Sequence, residues 1–160
     1  MFRFAFCMAI ALAGTALAGP LEDAEAALAR HDYATAARLL PPLASAGNRS
    51  AQNYLGVMYG SGQGVPQNYA EARKWYRMAA DQGDADAQNN LGIMYVKGEG
   101  VPQDYVEAHK WFNLAASRYP AAETEKRGTS VRNRDLAAAM MTPQQVAEAQ
   151  KLAREWKPTK

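Results

Sequence analysis

Residues 51–86 and 87–122 align without a gap, and 20 of the 36 positions are identical. Leu55, Gly56, Tyr59, Pro66, Tyr69 and Trp75 of the first copy return as Leu91, Gly92, Tyr95, Pro102, Tyr105 and Trp111 of the second. A period of this size restricts the chain to architectures in which one supersecondary unit stacks on the next, because a single short unit cannot bury its apolar side alone. The internal punctuation identifies the unit. Apolar residues recur at helical spacing in AQNYLGVMY, GSGQGVPQ interrupts them, and NYAEARKWYRMAA restores the spacing. Each unit is therefore expected to be a helical hairpin and the fold all-α. In the second helix Tyr69, Ala72, Tyr76, Ala79 and Ala80 form one stripe, with Glu71, Lys74 and Asp81 on the other side.

The interruption has its own chemistry. Gly62 and Gly64 can take positive φ without steric cost, and Pro66 fixes an extended exit before the next helix. Asn68 and Asp104 are placed to cap the helices that follow. A phosphate cradle is the other use of such glycines, but it needs a preceding strand and a characteristic third glycine, and here an amphipathic helix precedes the loop.

The pattern A-x-x-x-L-G-x-M-Y, then G-x-G-V-P-Q-[ND]-Y, then E-A-x-K-W-[YF]-x-x-A-A resembles the Sel1-like repeat, a subclass of the tetratricopeptide repeat. The resemblance covers two full units and implies an α-α superhelix, a solenoid of antiparallel hairpins used as a scaffold for protein partners. A degenerate unit precedes them at 19–50, where Asp32, Tyr33, Ala36, Ala44 and Gly47 echo Asn68, Tyr69, Ala72, Ala80 and Gly83 at the same offset. Its helices are expected near 21–31 and 33–46, with a tight turn at His31-Asp32 and a kink at Pro41-Pro42. After residue 117 the repeat lapses, DQGDAD becoming SRYPAA, so residues 123–160 are expected to supply two capping helices. Thr142-Pro143-Gln144-Gln145 is a capping-box start, and Val146, Ala149, Leu152 and Ala153 give the last helix its buried side, with Trp156 near its end.

Residues 1–18 read as an export leader. Arg3 is the basic start, a short Ala-rich apolar run follows, and Ala16-Leu17-Ala18 is a small-x-small cleavage site that leaves Gly19 first. An uncleaved anchor is opposed by Pro20, Glu22 and Asp23, which follow at once. The single cysteine, Cys7, leaves with the leader, so the remaining chain has neither a disulfide nor a thiolate to offer. Periplasmic or secreted residence in a bacterium follows, with no stable membrane insertion after cleavage. The stretch 123–160 holds eight Lys or Arg against five Asp or Glu, interspersed, and does not call for nucleic acid.

Catalytic equipment is sparse. The chain has two histidines and neither an HExxH nor a GxSxG pattern, so no catalytic residue, metal site or cofactor is expected. His109 takes the place of Arg73 in the preceding unit and is expected on the surface, while His31 marks a turn. Asp81, Asp84 and Asp86 lack calcium-loop spacing and are expected at an inter-unit turn. Trp75, Trp111, Tyr59 and Tyr95 are expected as core wedges.

One face resists a purely structural reading. At about 100° per residue, Ala51, Leu55, Met58 and Tyr59 centre on one side of the first helix, and Asn53, Val57 and Gly60 fall opposite. The next unit presents Asn89, Ile93 and Val96 at those places. The resemblance puts the first helix of each hairpin on the concave surface. Asn53, Val57, Asn89, Ile93 and Val96 then line a groove for a peptide or protein segment, unless they touch the neighbouring hairpin instead. A non-enzymatic adaptor is the expected function. The alternative is an envelope enzyme or cell-wall ligand binder, by analogy with cysteine-rich relatives linked to β-lactam binding, whose disulfides this chain lacks. A third reading is a secreted effector acting on host proteins.

Overall fold

Every stretch with helical spacing is a helix in the computed structural model, which describes residues 19–159. The proposed leader, residues 1–18, lies outside the described residues. Helices α1 (Pro20–Ala29) and α2 (Tyr33–Ser45) form the first hairpin, α3 (Arg49–Ser61) and α4 (Tyr69–Asp81) the second, and α5 (Ala85–Lys97) and α6 (Tyr105–Arg118) the third. Helices α7 (Thr124–Ala138) and α8 (Pro143–Glu155) complete the chain. No strand occurs among the described residues, and none of their helices is long and apolar enough to cross a membrane.

Side-chain caps set the helix starts. Asn48 and Asp84 accept from the backbone N–H groups of Ala51 and Ala87 and so begin α3 and α5. Asn68 and Asp104 each accept from two N–H groups at the starts of α4 and α6. Such caps satisfy donors that the first helical turn leaves without partners. Thr142 and Gln145 form the reciprocal capping box of α8. Helix α2 continues through Pro41 and Pro42, both exposed.

The stacking of one hairpin on the next rests on residues that recur with the repeat. Gly64 and Gly100 have φ of +74° and +68°, and a Cβ on either would lie 2.5 Å from the carbonyl oxygen of Tyr33 or Tyr69. Each Gly-rich loop thus rests on the first residue of the preceding unit's second helix, an approach open only to glycine. Gly56 and Gly92 let the rings of Tyr76 and Phe112 lie directly against the backbone of α3 and α5. Buried Gln52 and Gln88 donate through Nε2 to the carbonyls of Ala44 and Ala80, both at 3.0 Å, pinning the first helix of each unit to the end of the preceding helix.

The solenoid changes character at its C-terminal end. Helix α7 packs on α6 as another first helix would, and Asp86 fixes its approach by accepting from the Tyr119 hydroxyl at 2.9 Å and the Lys126 ammonium at 3.1 Å. Helix α8 then folds back and takes α6, not α7, as its main packing partner. Trp156 meets Trp111 edge-on at 6.4 Å, Arg118 lies 4.2 Å over the Trp156 ring, and Thr159 N–H donates to the carbonyl of Asp81. Ala153 and Trp156 join the central core around Ala79, Leu91 and Trp111. The cap is therefore a strap across the second-helix side, and it leaves Leu136 of α7 and Met140, just beyond its end, exposed at 69% and 64%.

Candidate functional site

The first helices α3, α5 and α7 line two cavities, of about 280 and 330 Å³, that share Ile93. Val57 and Gly60 of α3, Tyr76 of α4 and Ile93 of α5 shape the first. Ile93 and Val96 of α5, Phe112 of α6, Leu136 of α7 and Met140 just beyond α7 shape the second. Residue 60 is glycine where residue 96 is valine, so the first cavity is open at a point where the second has a wall. Val57 is 40% exposed. Exposed apolar side chains gathered along one run are the kind of surface that another molecule covers.

Three of the five sequence-derived groove residues, Val57, Ile93 and Val96, thus lie together in this run. The two asparagines line neither cavity: Asn53 is buried between helices, and Asn89 belongs to a separate cleft with Asp86, Tyr119 and Lys126. Asn53, 8% exposed, accepts through Oδ1 from Asn90 Nδ2 at 3.3 Å, linking α3 to α5. Asn89 Oδ1 accepts from Ser130 Oγ at 3.0 Å and Asn133 Nδ2 at 3.3 Å, linking α5 to α7. Both carboxamide oxygens therefore brace neighbouring hairpins, while the Nδ2 groups of Asn53 and Asn89 have no protein acceptor among the described residues. Leu136 and Met140 were not anticipated. Their i, i+4 spacing in RDLAAAM was the available signal, but the helical phase of a non-repeating helix cannot be copied from its neighbours.

Charge on this face is sparse and balanced. Lys97 stands at the rim of one cavity, Glu99 lines the other, and the two pair at 3.8 Å. Tyr76 is pushed well above the usual tyrosine range by burial, so its hydroxyl stays a neutral donor at neutral pH. No cluster of metal-ligating side chains occurs among the described residues.

Two other assignments are refined or corrected. Trp111 is wholly buried and donates through Nε1 to Glu107 Oε2 at 3.0 Å. Its counterpart Trp75 is half-buried against the N-terminal core, with Nε1 sealed from solvent and without an acceptor. His109, expected at the surface from its equivalence to Arg73, is only 3% exposed. The equivalence fails because α7 and α8 close over this side of α6, whereas no helix covers Arg73 in the same way. Of the three acidic residues only Asp84 lies in the turn, where it caps α5 and burial raises its carboxyl above the usual range; Asp81 ends α4, and Asp86 stands in the first turn of α5 and holds Tyr119 and Lys126.

Antiparallel hairpins stacked in register, with short Gly-rich loops between their helices, define an α-solenoid. Residues 49–84 and 85–119 each match the Sel1 repeat family, so the middle of the chain consists of two Sel1 repeats. The chain is similar to the crystal structure of c5321, a protective antigen of uropathogenic Escherichia coli displaying an SLR fold, with 27% identity and a TM-score of 0.77. That match covers 86% of this chain but 29% of the antigen. It is also similar to a Sel1 repeat protein from Oxalobacter formigenes, with 29% identity and a TM-score of 0.62, over 86% of this chain and 61% of the other. The chain thus spans less than two thirds of each of these proteins. No curated protein matches it by sequence. Sel1 repeats suggest a protein-interaction scaffold, a fold that generally serves without catalysis.

Proposed function

We propose that this chain, once exported, is a non-enzymatic adaptor that holds an extended or helical peptide segment of a protein partner along α3, α5 and α7. The observation that carries the reading is the run of Val57, Ile93, Val96, Leu136 and Met140 along two adjoining cavities, with Ile93 common to both. Two neighbouring apolar cavities suit two anchoring side chains of one segment better than one compact small molecule. The Tyr76 hydroxyl, which lines the first cavity, is a donor suited to the segment's carbonyls. Export to the periplasm or beyond is supported by the composition of residues 1–18.

The test is selection from a displayed library of random peptides, followed by variants at the two exposed lining positions, Val57→Asp and Leu136→Asp. Peptides with two spaced apolar anchors are expected, and the carboxylates should reduce their affinity at least tenfold while melting is unchanged. Selected peptides that bind both variants as well as the parent would place recognition elsewhere.

A further inference from the structure

Helix α8, folded back over α6, borders a third, open cleft of about 410 Å³ between α6, α7 and α8, which shares no residue with the groove and has the buried His109 at its base. Six polar side chains line it: His109 and Asn113 from α6, Arg134 and Asp135 from α7, and Gln150 and Arg154 from α8. In the preceding unit the α6 pair corresponds to Arg73 and Arg77. Arg77 has a structural use there, pairing with Asp81 at 2.8 Å and lying 5.3 Å over Trp111. His109 and Asn113 have no such use, since neither hydrogen-bonds to any described residue. At the base of the cleft a strap that only sealed the solenoid would meet an aliphatic side chain in place of His109, because a buried polar group without a partner is destabilising.

His109 makes the case specific. Its ring is almost wholly buried, its Nδ1 is sealed without a partner, and Nε2 keeps access although no protein group bonds to it. Burial, and then the charge of Arg134, hold the imidazole below the usual histidine range, so at neutral pH it is uncharged and one nitrogen carries a proton to donate. Asp135 is the only acidic residue of the six, and Arg134 occupies it through Nε at 2.9 Å and a second nitrogen at 2.8 Å. Arg154 has no ion-pair partner among the described residues. The cavity therefore carries net positive charge and a surplus of donors, which call for an acceptor-only group. Ala138 and Val146 add an apolar wall, which favours an organic anion over an inorganic one.

We propose that the cleft between α6, α7 and α8 is a binding site for a small organic carboxylate, seated on Arg154, with His109, Asn113, Gln150 and the one Arg134 nitrogen not engaged by Asp135 as further donors. Planar guanidinium groups match a carboxylate's two oxygens, and hydrogen bonds to charged groups are about twice as strong as neutral ones. The site is separate from the peptide groove and stands whether or not that groove binds a peptide.

The chain's two histidines make the test direct, because each gives its own imidazole resonances. Succinate titrated into the protein, against sodium chloride at matched ionic strength, should move the His109 signals along a saturable curve and leave those of His31 in place. Arg154→Gln, at an exposed position of α8, should keep the parent's melting temperature and weaken succinate binding by about tenfold or more. A curve reproduced by chloride, no saturation up to tens of millimolar succinate, or undiminished binding by Arg154→Gln would each overturn the site. Inorganic phosphate binding as tightly as succinate would overturn the assignment to an organic carboxylate.

Discussion

Replacing Trp111 by alanine removes the largest fully buried side chain of the central core, and its cost follows from what the indole touches. The ring is inaccessible to solvent, packs among Ala79, Ala80, Leu91 and Leu114, meets Trp156 edge-on, and carries an Nε1–H bond to the Glu107 carboxylate. Truncating a buried aromatic to alanine costs about 3–5 kcal/mol once the cavity is included, and the lost contact with Trp156 places this case in the upper half. Against a total stability of about 5–15 kcal/mol, that is a large loss. With a urea slope of about 2 kcal/mol/M for a chain of this size, the unfolding midpoint should fall by roughly 2 M. Trp75→Ala, at the repeat-equivalent position, should cost only about 1–2 kcal/mol, since that ring is half-buried and its Nε1 has no partner to lose. Urea titrations followed by far-UV circular dichroism compare the two. Equal shifts would refute the reasoning, because they would mean that repeat position, and not the closure by α8, decides the burial.

Gly100→Ala should destabilise by about 2–4 kcal/mol, combining left-handed strain with a clash on the Tyr69 carbonyl, whereas Gly47→Ala meets open space and should show the strain alone, about 1 kcal/mol, in the same titration. Asn53→Ala with Asn89→Ala should lower stability by about 1–3 kcal/mol through the lost inter-hairpin bonds, read as a lower melting temperature, and an unchanged melting temperature would contradict their bracing role. For His109, the unfolded chain takes up its proton near pH 6.5 while the folded chain resists it, so the stability this residue contributes is present above that pH and declines below it. His109→Asn should flatten part of the fall in melting temperature between pH 7 and pH 5, and an identical profile would contradict the assignment.

The repeat made most of the scaffold legible. Asn68, Asp104 and the Thr142 box cap their helices, Gly62 and Gly64 take positive φ, and the degenerate N-terminal hairpin turns at His31, whose φ is +59°. This succeeded because each of these features depends on residues within a few positions of itself. What depends on the neighbouring unit was legible only where the neighbour is another copy. Gln52 Oε1 accepts from Gln82, but the next copy has Arg118 there, turned onto Trp156, and Gln88 Oε1 is left without a partner. The burial of His109 and the exposure of Leu136 and Met140 follow from α8 choosing α6 over α7, which no periodicity encodes. In the groove, helical phase brought out Val57, Ile93 and Val96. It could not show that the oxygens of Asn53 and Asn89 brace neighbouring helices, because that depends on Asn90, where the two copies differ, and on Ser130 and Asn133, which lie beyond the repeats.

Ile93 is the residue that both groove cavities share, and the sequence contains one other isoleucine, Ile10. A protein labelled only at the isoleucine δ1 methyl therefore gives at most two signals, and the one lost in Ile93→Val reports on the centre of the groove. Calorimetry fixes the concentration at which a selected two-anchor peptide saturates the protein. At that concentration the Ile93 methyl resonance should have moved completely to a new position. An Ile93 resonance unmoved at calorimetric saturation would contradict the claim that partners are held along α3, α5 and α7.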